Sequence, residues 1–381
     1  MIPCSNPQAQ YLSHRGAIDR ALRDVLESGH FILGPQVKAF EREFAAYIGA
    51  SHAIGVASGT DALVVTLRAL GIGPGHEVIT TAHTAVATVA AIELSGATPV
   101  LADIEPRYFT LDPRSVEARI TPRTRAVVPV HLYGQAAELG ALGALARRHG
   151  LKVVEDCAQA HGARYDGRRL GSIGDAGCYS CYPTKNLGAL GDAGVIVTSD
   201  AELAARCRKL REYGWTETRD AALPGLNSRL DEVQAAVLRV KLAGLDADND
   251  RRRALARAYG ERLAGSPFVL PSVRPGASHV YHLYVVRALE RDRVLSRLKD
   301  HGILAGIHYA VPVHLQTAYR GRLPGSDALP ETERAAREVL SLPMFPELDA
   351  SAVDSVCEAL RDISGVTAEA PVSEALCLEA G

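Results

Sequence analysis

The chain lacks an excess of charge of either sign. Its 42 Lys and Arg residues are nearly balanced by 44 Asp and Glu residues, which leaves a formal net charge of -2. Basic residues do not cluster either, apart from the run Arg251–Arg253. Since binding to nucleic acid depends on neutralising many phosphates, this composition argues against a nucleic acid as partner.

Long uninterrupted apolar runs are also missing. The most apolar long segment, Thr84–Ala102, contains four interruptions: Glu93, Ser95, Gly96 and Pro99. We therefore do not expect it to span a membrane. The amino-terminal sequence MIPCSNPQAQYL has no basic region followed by an apolar core, which argues against a secretory signal.

The seven cysteines show no disulfide pattern. An odd number scattered over a long chain favours reduced thiols, as expected in the cytoplasm. Cys178 and Cys181 form a C-x-x-C, but no second Cys pair or closely spaced His pair follows at the spacing of a zinc site. Because both lie in the strand-like CYSCY rather than at the start of a helix, we expect buried structural thiols and no metal site.

The first two thirds of the chain alternate short β-branched runs with longer helical patterns. HAIGVAS is followed by DALVVTLRALG, and EVITTA by TAVATVAAIELSG. In the first of these helices Leu63, Leu67 and Leu70 share one face, whereas the runs between helices are short and apolar throughout. This pattern predicts βαβ units around a buried, mostly parallel sheet, an α/β fold.

The pattern changes after the helical segment DEVQAAVLRVKLAGL. A polar hinge, DADNDRRR, is predicted next, followed by helices in ALARAYGERLAG, RDRVLSRLKDHG and ETERAAREVLSL around the strand-like VYHLYVVRA. At 381 residues the chain is too long for one typical core. We predict a large domain at residues 1–248, a smaller α+β domain at 249–365, and a tail at 366–381.

A candidate phosphate-binding turn lies in VASGTDAL. Ser58, Gly59 and Thr60 stand between a strand and a helix, where free N–H groups and the helix dipole favour a bound phosphate. Capping of the helix by Ser58 or Thr60 is an equally good interpretation. Neither G-x-x-x-x-G-K-[ST] nor G-x-G-x-x-G occurs, which argues against sites for nucleoside triphosphates and dinucleotides.

Two further turns supply a carboxylate and an isolated amine. KVVEDCAQAHGA ends a strand in two acids, and alternation places one of them at the carboxyl edge of the sheet, where open α/β proteins hold ligands. Lys185 follows another strand, in a loop with no other Lys or Arg between Arg169 and Arg206. Phosphate turn, strand-end acid and lysine together meet the needs of pyridoxal 5′-phosphate (PLP): an amine for the Schiff base, and an anion for the ring nitrogen.

Several segments, in this order and spacing, make a resemblance specific: SGTDAL, AHTAVAT, VEDCAQAHGA, CYSCYPTKNLGALGDAG and LNSRLDEVQAA. They resemble the fold-type I PLP enzymes that aminate keto groups of nucleotide-linked sugars, the DegT-like family. The similarity runs from about Ile2 to Leu360, nearly the whole chain. It implies a large domain with a mostly parallel central sheet and a smaller carboxyl-terminal α+β domain.

The resemblance gives the three core residues their roles. Lys185 is expected to carry PLP as a Schiff base and to move the proton between substrate carbon and cofactor. Asp156 is expected to pair with the pyridinium nitrogen, and Gln159 to reach the ring hydroxyl oxygen. Small neighbours of the lysine are expected to leave room for the ring and let the chain bend around it: Gly188, Ala189 and Gly191.

The resemblance also extends to the phosphate and to a second subunit. The phosphate is expected to meet the N–H groups of Gly59, Thr60 and Asp61, with the hydroxyl of Ser180 beside them. Asn227 matches an asparagine that in the family reaches the phosphate from the neighbouring subunit, which implies a homodimer with shared active sites. Taken without the resemblance, Asn227 could equally cap the helix that follows.

The chain departs from the family pattern next to the ring. Where the family has a bulky aromatic in the turn after AHT, this chain has Ala85, so His83 becomes the candidate for stacking on the ring; a buried core histidine is the alternative. On the substrate side, IHYAVPVHL resembles a segment that lines the sugar pocket and makes Tyr309 and His314 candidates. Tyr182 is a third candidate.

The implied reaction is transfer of an amino group, from L-glutamate, to a ketosugar bound to a nucleotide, with the cofactor passing through its pyridoxamine form. AHTAVAT together with NSRLDE resembles members that act on 3-keto sugars more than those acting on 4-keto sugars or aminocyclitols. Related dehydratases replace the lysine with histidine, and a PLP-binding regulatory protein without turnover is expected to lose the lysine or the carboxylate. A nicotinamide oxidoreductase fits only the βα alternation.

Overall fold

A computed structural model describes residues 1–365, so the predicted tail at 366–381 lies outside the described residues. The helices are α1 Pro7–Ser28, α2 Pro35–Ile48, α3 Gly59–Ala69, α4 Val86–Leu94, α5 Pro113–Glu117, α6 Leu139–His149, α7 Ala201–Leu210, α8 Glu232–Leu242, α9 Leu245–Arg262, α10 Arg291–Asp300, α11 Pro330–Glu338 and α12 Ala350–Ser364. The strands are β1 Ile2–Pro3, β2 His52–Val56, β3 Glu77–Thr81, β4 Thr98–Ala102, β5 Thr124–Val127, β6 Lys152–Asp156, β7 Arg164–Tyr165, β8 Arg168–Arg169, β9 Ala176–Ser180, β10 Gly194–Thr198, β11 Tyr284–Arg287, β12 Ile303–Leu304 and β13 Val339–Leu342.

A sheet of seven strands forms the centre of the molecule. The strand order is β2-β10-β9-β6-β5-β3-β4, with β10 antiparallel to both neighbours and the other strands parallel. All five residues of β3 and of β10 are buried, because helices cover both faces of a sheet built from βαβ units. The α/β prediction is confirmed.

The register of the sheet brings the predicted turns to one edge. Gly194 at the start of β10 pairs with Ser180 at the end of β9 and with Val56 at the end of β2. The turn after Val56 therefore lies beside Ser180. On the other side of β9, Asp156 at the end of β6 pairs with Cys178.

A second hydrophobic core lies in the carboxyl-terminal third of the chain. It is formed by α9, α10, α12 and the antiparallel pair β11 and β13. The amino-terminal strand β1 also joins it, because Ile2 and Pro3 pair in parallel with Ile303 and Leu304 of β12. The first residues of the chain thus pack with its last third.

Two local predictions in this part are wrong. The expected hinge DADNDRRR is helical, inside α9, so the predicted boundary between residues 248 and 249 falls within a helix. The expected helix ETERAAREVLSL ends at Glu338, and Val339–Leu342 form β13 instead. The apolar run VLSL satisfies a helical pattern and a buried strand equally, and the partner strand β11 decides between them.

The burial of the C-x-x-C cysteines agrees with the prediction of structural thiols. Cys178 and Cys181 are buried and unpaired, and burial raises the pKa of the Cys181 thiol to about 12. Within residues 1–365, none of the helices combines the length and the apolar character needed to cross a membrane.

Candidate active site

Lys185 lies in the loop between β9 and β10. The loop begins with a turn in which the Lys185 N–H donates to the Tyr182 carbonyl at 2.8 Å, and it closes where the Ala189 N–H donates to the Cys181 carbonyl at 2.8 Å. The lysine side chain is half-buried. Burial lowers its pKa to about 8, and the carboxylate of Asp156 limits the fall. The amine is therefore close enough to neutrality to act as a nucleophile near physiological pH.

The small residues of this loop serve its own packing. A Cβ added at Gly188 would lie 2.4 Å from the Pro183 carbonyl oxygen, and one at Gly191 would lie 2.9 Å from the Gln234 amide nitrogen. These contacts require glycine at both positions, and the room that Gly188 and Gly191 leave for a cofactor ring stays a prediction. They let the loop fold tightly onto itself and onto α8.

Asp156 lies at the end of β6 and is buried. One carboxylate oxygen accepts from the Thr88 hydroxyl at 2.8 Å, and the other accepts from the Ala158 N–H at 3.1 Å. Burial raises the pKa of Asp156, although these two hydrogen bonds and the charge of Lys185 act against the rise. A cationic group placed against this carboxylate would remove most of the cost of keeping it ionised.

The candidate phosphate turn is built as a helix start. Ser58 is the N-cap of α3, and its hydroxyl accepts from the Asp61 N–H at 3.1 Å. The N–H groups of Gly59 and Thr60, in the first turn, have no acceptor within the helix. A Cβ at Gly59 would lie only 2.5 Å from the Cβ of Ser180, so Ser180 stands directly beside this helix end.

The turn thus satisfies both of its interpretations, with one correction. Ser58 caps the helix, and two N–H groups remain for an anion, helped by the positive end of the helix dipole. The N–H of Asp61, expected to meet the phosphate, is already bound to Ser58. The Asp61 carboxylate instead accepts from the Ser228 hydroxyl at 2.7 Å, and Ser228 also accepts from the Ala57 N–H at 3.0 Å.

His83 and Gln159 lie in one hydrogen-bonded group with Tyr309. The amide nitrogen of Gln159 donates to the Tyr309 hydroxyl at 3.1 Å, so this predicted substrate residue does reach the predicted cofactor residue. The His83 ring is fully buried, and its Nε2 lies 2.8 Å from the Tyr133 hydroxyl. Burial lowers the pKa of His83 to about 4, which keeps the ring neutral at physiological pH.

The remaining predicted residues make no hydrogen bond to this group within residues 1–365. His314 is buried, and its Nε2 lies 3.3 Å from a carboxylate oxygen of Glu333 in α11. Tyr182 is 51% exposed. Asn227 is exposed and does not cap α8, whose N-cap is Asp231, so the interpretation of Asn227 as a helix cap is wrong.

Three residues that support the site were not predicted from the sequence. Thr88 holds the Asp156 carboxylate from α4, Ser228 ties the phosphate turn to the segment before α8, and Tyr133 contacts both His83 and Gln159. The motifs AHTAVAT and NSRLDE contain the first two. Each is a small hydroxyl residue, a type common in any loop, so only its position could have revealed it.

A cluster of His131, Glu155 and Cys157 lies behind Asp156 and has metal-ligand chemistry. The Nδ1 atom of His131 accepts from the Ala137 N–H at 3.0 Å, so Nε2 carries the proton and donates to Glu155 at 3.0 Å. Glu155 further accepts main-chain N–H bonds from residues 171, 173 and 174. The imidazole has no free lone pair, and the cluster supports the strand end.

The residues at this edge fit PLP on the chemistry of their donors. The start of α3 offers N–H groups to a phosphate, Asp156 offers a buried carboxylate to a protonated ring nitrogen, and Lys185 offers an amine of lowered pKa to the aldehyde. His83 retains a buried ring nitrogen, Nδ1, without a hydrogen-bond partner among the described residues. The start of α3, Asp156 and Lys185 thus each have a counterpart in the cofactor: the phosphate, the ring nitrogen and the aldehyde.

Comparison with known proteins decides the family. Residues 13–361 match the DegT/DnrJ/EryC1/StrS aminotransferase family. The chain belongs to this family. The predicted aminotransferase class is thereby confirmed, and the family depends on PLP.

Two relatives and one structure give the closeness of the match. A dTDP-3-amino-3,4,6-trideoxy-alpha-D-glucose transaminase of Streptomyces venezuelae is 50% identical over 362 residues, covering 95% of this chain and 96% of that protein. The erythromycin biosynthesis sensory transduction protein EryC1 of Saccharopolyspora erythraea is 50% identical over 363 residues, covering 94% and 99%. The crystal structure of S. venezuelae DesV in complex with a ketimine intermediate superposes with a TM-score of 0.93 at 50% identity, covering 95% of this chain and 98% of that one.

Proposed function

We propose that this aminotransferase moves an amino group from L-glutamate to the C3 keto group of a nucleotide-linked deoxysugar. The observation that carries the proposal is the placement of Lys185, Asp156 and the start of α3 at one edge of the sheet. The substrate class rests on the 50% identity to a transaminase named for a 3-amino deoxysugar.

In this proposal Lys185 binds the cofactor covalently and moves the proton at the reacting carbon. Asp156 pairs with the ring nitrogen, and Gln159 donates to the ring hydroxyl oxygen. When bound, PLP supplies an electron-accepting ring and an aldehyde that takes up the amino group. The lowered pKa of Lys185 supports its role, because a neutral amine both attacks the aldehyde and accepts a proton.

The other residues bind and orient. The N–H groups of Gly59 and Thr60 and the hydroxyl of Ser180 bind the phosphate, while Asp61 contributes through Ser228 rather than through its own N–H. His83 lies against the ring in place of the missing aromatic at Ala85. Tyr309, bonded to Gln159, faces the sugar. We also propose Tyr182 and His314 as substrate contacts. The protein would have to close around the bound nucleotide for these side chains to reach it.

We further propose a homodimer in which Asn227 reaches the partner's phosphate site. Apolar side chains are exposed around the start of α8: Phe31 at 52%, Ile32 at 48% and Leu190 at 44%. The segments that carry them both adjoin the start of α8, since the Phe31 carbonyl accepts from the Glu232 N–H and the Leu190 N–H donates to Gln234. Asn227 is exposed a few residues upstream, where a second copy covering this surface would contact it.

The free thiols of the protein support a location in a reducing compartment. The described cysteines, Cys4, Cys157, Cys178, Cys181, Cys207 and Cys357, are all unpaired. Since disulfides persist in oxidising compartments, we place the protein in the cytoplasm.

The alternatives are a 4-keto sugar or aminocyclitol substrate, and a regulatory protein without turnover. EryC1 is named as a sensory transduction protein, so the second alternative has a relative behind it. The retained Lys185 and Asp156 favour turnover, because binding of PLP as a signal needs neither proton transfer nor an electron sink.

The test is the reverse reaction. The PLP-loaded protein is given 2-oxoglutarate with 3-amino or 4-amino nucleotide sugars, and glutamate and ketosugar are measured by mass spectrometry. We expect the 3-amino sugars to be consumed and Lys185→Ala to be inactive. Consumption of only the 4-amino sugars would move the reaction to C4, and PLP binding without conversion of any amino sugar would favour the regulatory alternative.

A further inference from the structure

Tyr133 occupies an unusual position beside the active site. It lies in the short 3-10 turn Leu132–Gly134 that follows β5, and it is 3% exposed. Its φ angle is +62°, in the left-handed region that residues with a side chain rarely adopt. Such a conformation costs free energy and persists only where surrounding contacts determine it, as occurs at functional sites.

The main chain of Tyr133 fixes the amide of Gln159. The Tyr133 N–H donates to Oε1 of Gln159 at 2.7 Å, so the other end of that amide must be the NH2 group. One of its two hydrogens goes to the Tyr309 hydroxyl at 3.1 Å. The second remains available as a donor to a ligand.

The side chain of Tyr133 fixes the tautomer of His83. Its hydroxyl bonds the His308 carbonyl oxygen, which can only accept, so the single hydroxyl hydrogen points to His308. The hydroxyl oxygen must then accept from His83 Nε2, 2.8 Å away. In a neutral imidazole a hydrogen on Nε2 leaves Nδ1 as an acceptor.

The Nδ1 atom of His83 therefore carries a free lone pair, and the hydrogen bond to Tyr133 fixes the ring that bears it. It is buried and has no hydrogen-bond partner within residues 1–365. A buried acceptor without a partner costs free energy, and a ligand that donates to it recovers this cost.

We propose that Tyr133 is a positioning residue of this active site, which sets the tautomer of His83 and the amide orientation of Gln159 and links both to the segment His308–Tyr309. The proposal rests on the proposed function, in which His83 and Gln159 contact the cofactor. Four hydrogen bonds carry it: Tyr133 to Gln159, Gln159 to Tyr309, Tyr133 to His308, and His83 to Tyr133. Because residues 308 and 309 are adjacent, the first three hydrogen bonds connect the turn after β5, the turn after β6 and the chain after β12 in a closed ring.

A purely structural role would rest on packing alone. The Tyr133 ring does pack edge-on against the rings of His83 and Phe109, with distances between ring centroids of 6.0 Å and 5.6 Å. Tyr133→Phe keeps both ring contacts and removes only the hydroxyl. The two roles can therefore be separated by measuring the tautomer of His83.

The experiment uses 15N NMR of the histidine rings in the cofactor-free protein, with the His83 signals assigned by their loss in His83→Gln. In the wild type we expect His83 as the neutral tautomer with hydrogen on Nε2. In Tyr133→Phe we expect a mixture of tautomers or the opposite one. Hydrogen on Nδ1 in the wild type, or the same tautomer in both proteins, would overturn the proposal; the wild-type spectrum decides even if the variant does not fold.

A matched control and a kinetic measurement complete the test. Tyr259 also donates a buried hydroxyl to a carbonyl, that of Pro343 at 3.0 Å, but in the second core, so Tyr259→Phe controls for the loss of one such bond. We expect Tyr133→Phe to lower kcat/KM about 10- to 100-fold, the effect of one or two lost buried hydrogen bonds, and Tyr259→Phe to leave the tautomer unchanged. Equal loss of kcat/KM in both variants would assign Tyr133 to stability. Because the NMR measurement needs no substrate, failure of the sugar assay would refute the proposed substrate and leave the result on Tyr133 standing.

Discussion

Lys185 shares its surroundings with two buried histidines, His161 and His282, and with the half-buried His308, and all three rings stay neutral. Burial, and after it the charge of Lys185, lowers the pKa of His161 to about 3 and that of His308 to about 4. The same two causes hold the pKa of His282 well below its usual value. The carboxylate of Asp156 acts in the other direction on Lys185 and favours its protonated form. None of these three rings is therefore a cation beside Lys185 at physiological pH.

The lowered pKa of Lys185 predicts how PLP capture depends on pH. The folded protein holds this pKa near 8, below the ordinary value of 10.5, because burial penalises the ammonium form. The rate of PLP attachment to the cofactor-free protein should rise with pH up to about 8 and then level off. The rate is read from the absorbance of the bound cofactor, with Lys185→Ala as the control for other amines. A rate that keeps rising to pH 10 would contradict the prediction.

Substitutions at Asp156 and Thr88 should slow turnover to different degrees. Asp156→Asn keeps the shape but removes the anion, which should raise the barrier by about 2–4 kcal/mol and slow turnover about 30- to 1000-fold. Thr88→Val removes one of the two hydrogen bonds to this carboxylate and should slow turnover about 10-fold. Single-turnover rates with glutamate measure both effects. Wild-type turnover by Asp156→Asn would mean that the acid only supports the strand end.

Residues whose chemistry is rare in loops could be predicted from the sequence. Lys185 stands out as one amine among small residues, and Asp156 as an acid at a strand end. Tyr133 could not be found this way, because its role depends on a left-handed turn and on a carbonyl 175 positions along the chain. Such contacts exist only once the turns of separate elements meet.

The start of α3 tests how closely the sheet edge is packed. In Gly59→Ala the new Cβ would lie 2.5 Å from the Cβ of Ser180, so the helix end must shift. We expect a loss of stability of about 1–3 kcal/mol and a weaker affinity for PLP. Gly260→Ala in α9 is the control: it meets no atom within 4 Å and should stabilise the protein by about 0.5–1 kcal/mol.

Thermal unfolding and PLP titration of both variants measure these effects. A Gly59→Ala protein that binds PLP as tightly as the wild type would show that the phosphate does not approach this helix start.

The pattern of apolar residues predicted the helices and strands of the sheet and the second half of α9, but it failed for the first half of α9. Its buried face includes Asp248, Asn249 and Arg252, so the segment looks polar and unstructured in the sequence. The Arg252 guanidinium donates to the carbonyls of Tyr281, His282 and Met344, and Asn249 bonds Asn186 and His161. In the first half of the helix, hydrogen bonds to these polar side chains accompany their burial, and the pattern of apolar residues does not detect such bonds.

The proposed dimer predicts that two damaged proteins rescue each other. Lys185→Ala lacks the amine, and Asn227→Asp sets a carboxylate against the partner's phosphate. In a mixed dimer one of the two sites has both wild-type groups. An equimolar random mixture contains about half such hybrids, so activity should rise well above the sum of the separate proteins.

Native mass spectrometry controls for subunit exchange in this mixture. Hybrids that form without a gain in activity would place Asn227 in its own subunit's site or outside any site. Added PLP should also favour the dimer in wild type, because a ligand that needs the assembled state stabilises it.

The pairing of β1 with β12 has a consequence for biosynthesis. Ile2 and Pro3 cannot find their partners until Ile303 and Leu304 have left the ribosome. At about 5–20 residues per second, the first strand waits roughly 15 to 60 s after its own translation. During that interval the nascent amino-terminal segment remains open to chaperones, and the second core can close only late in translation.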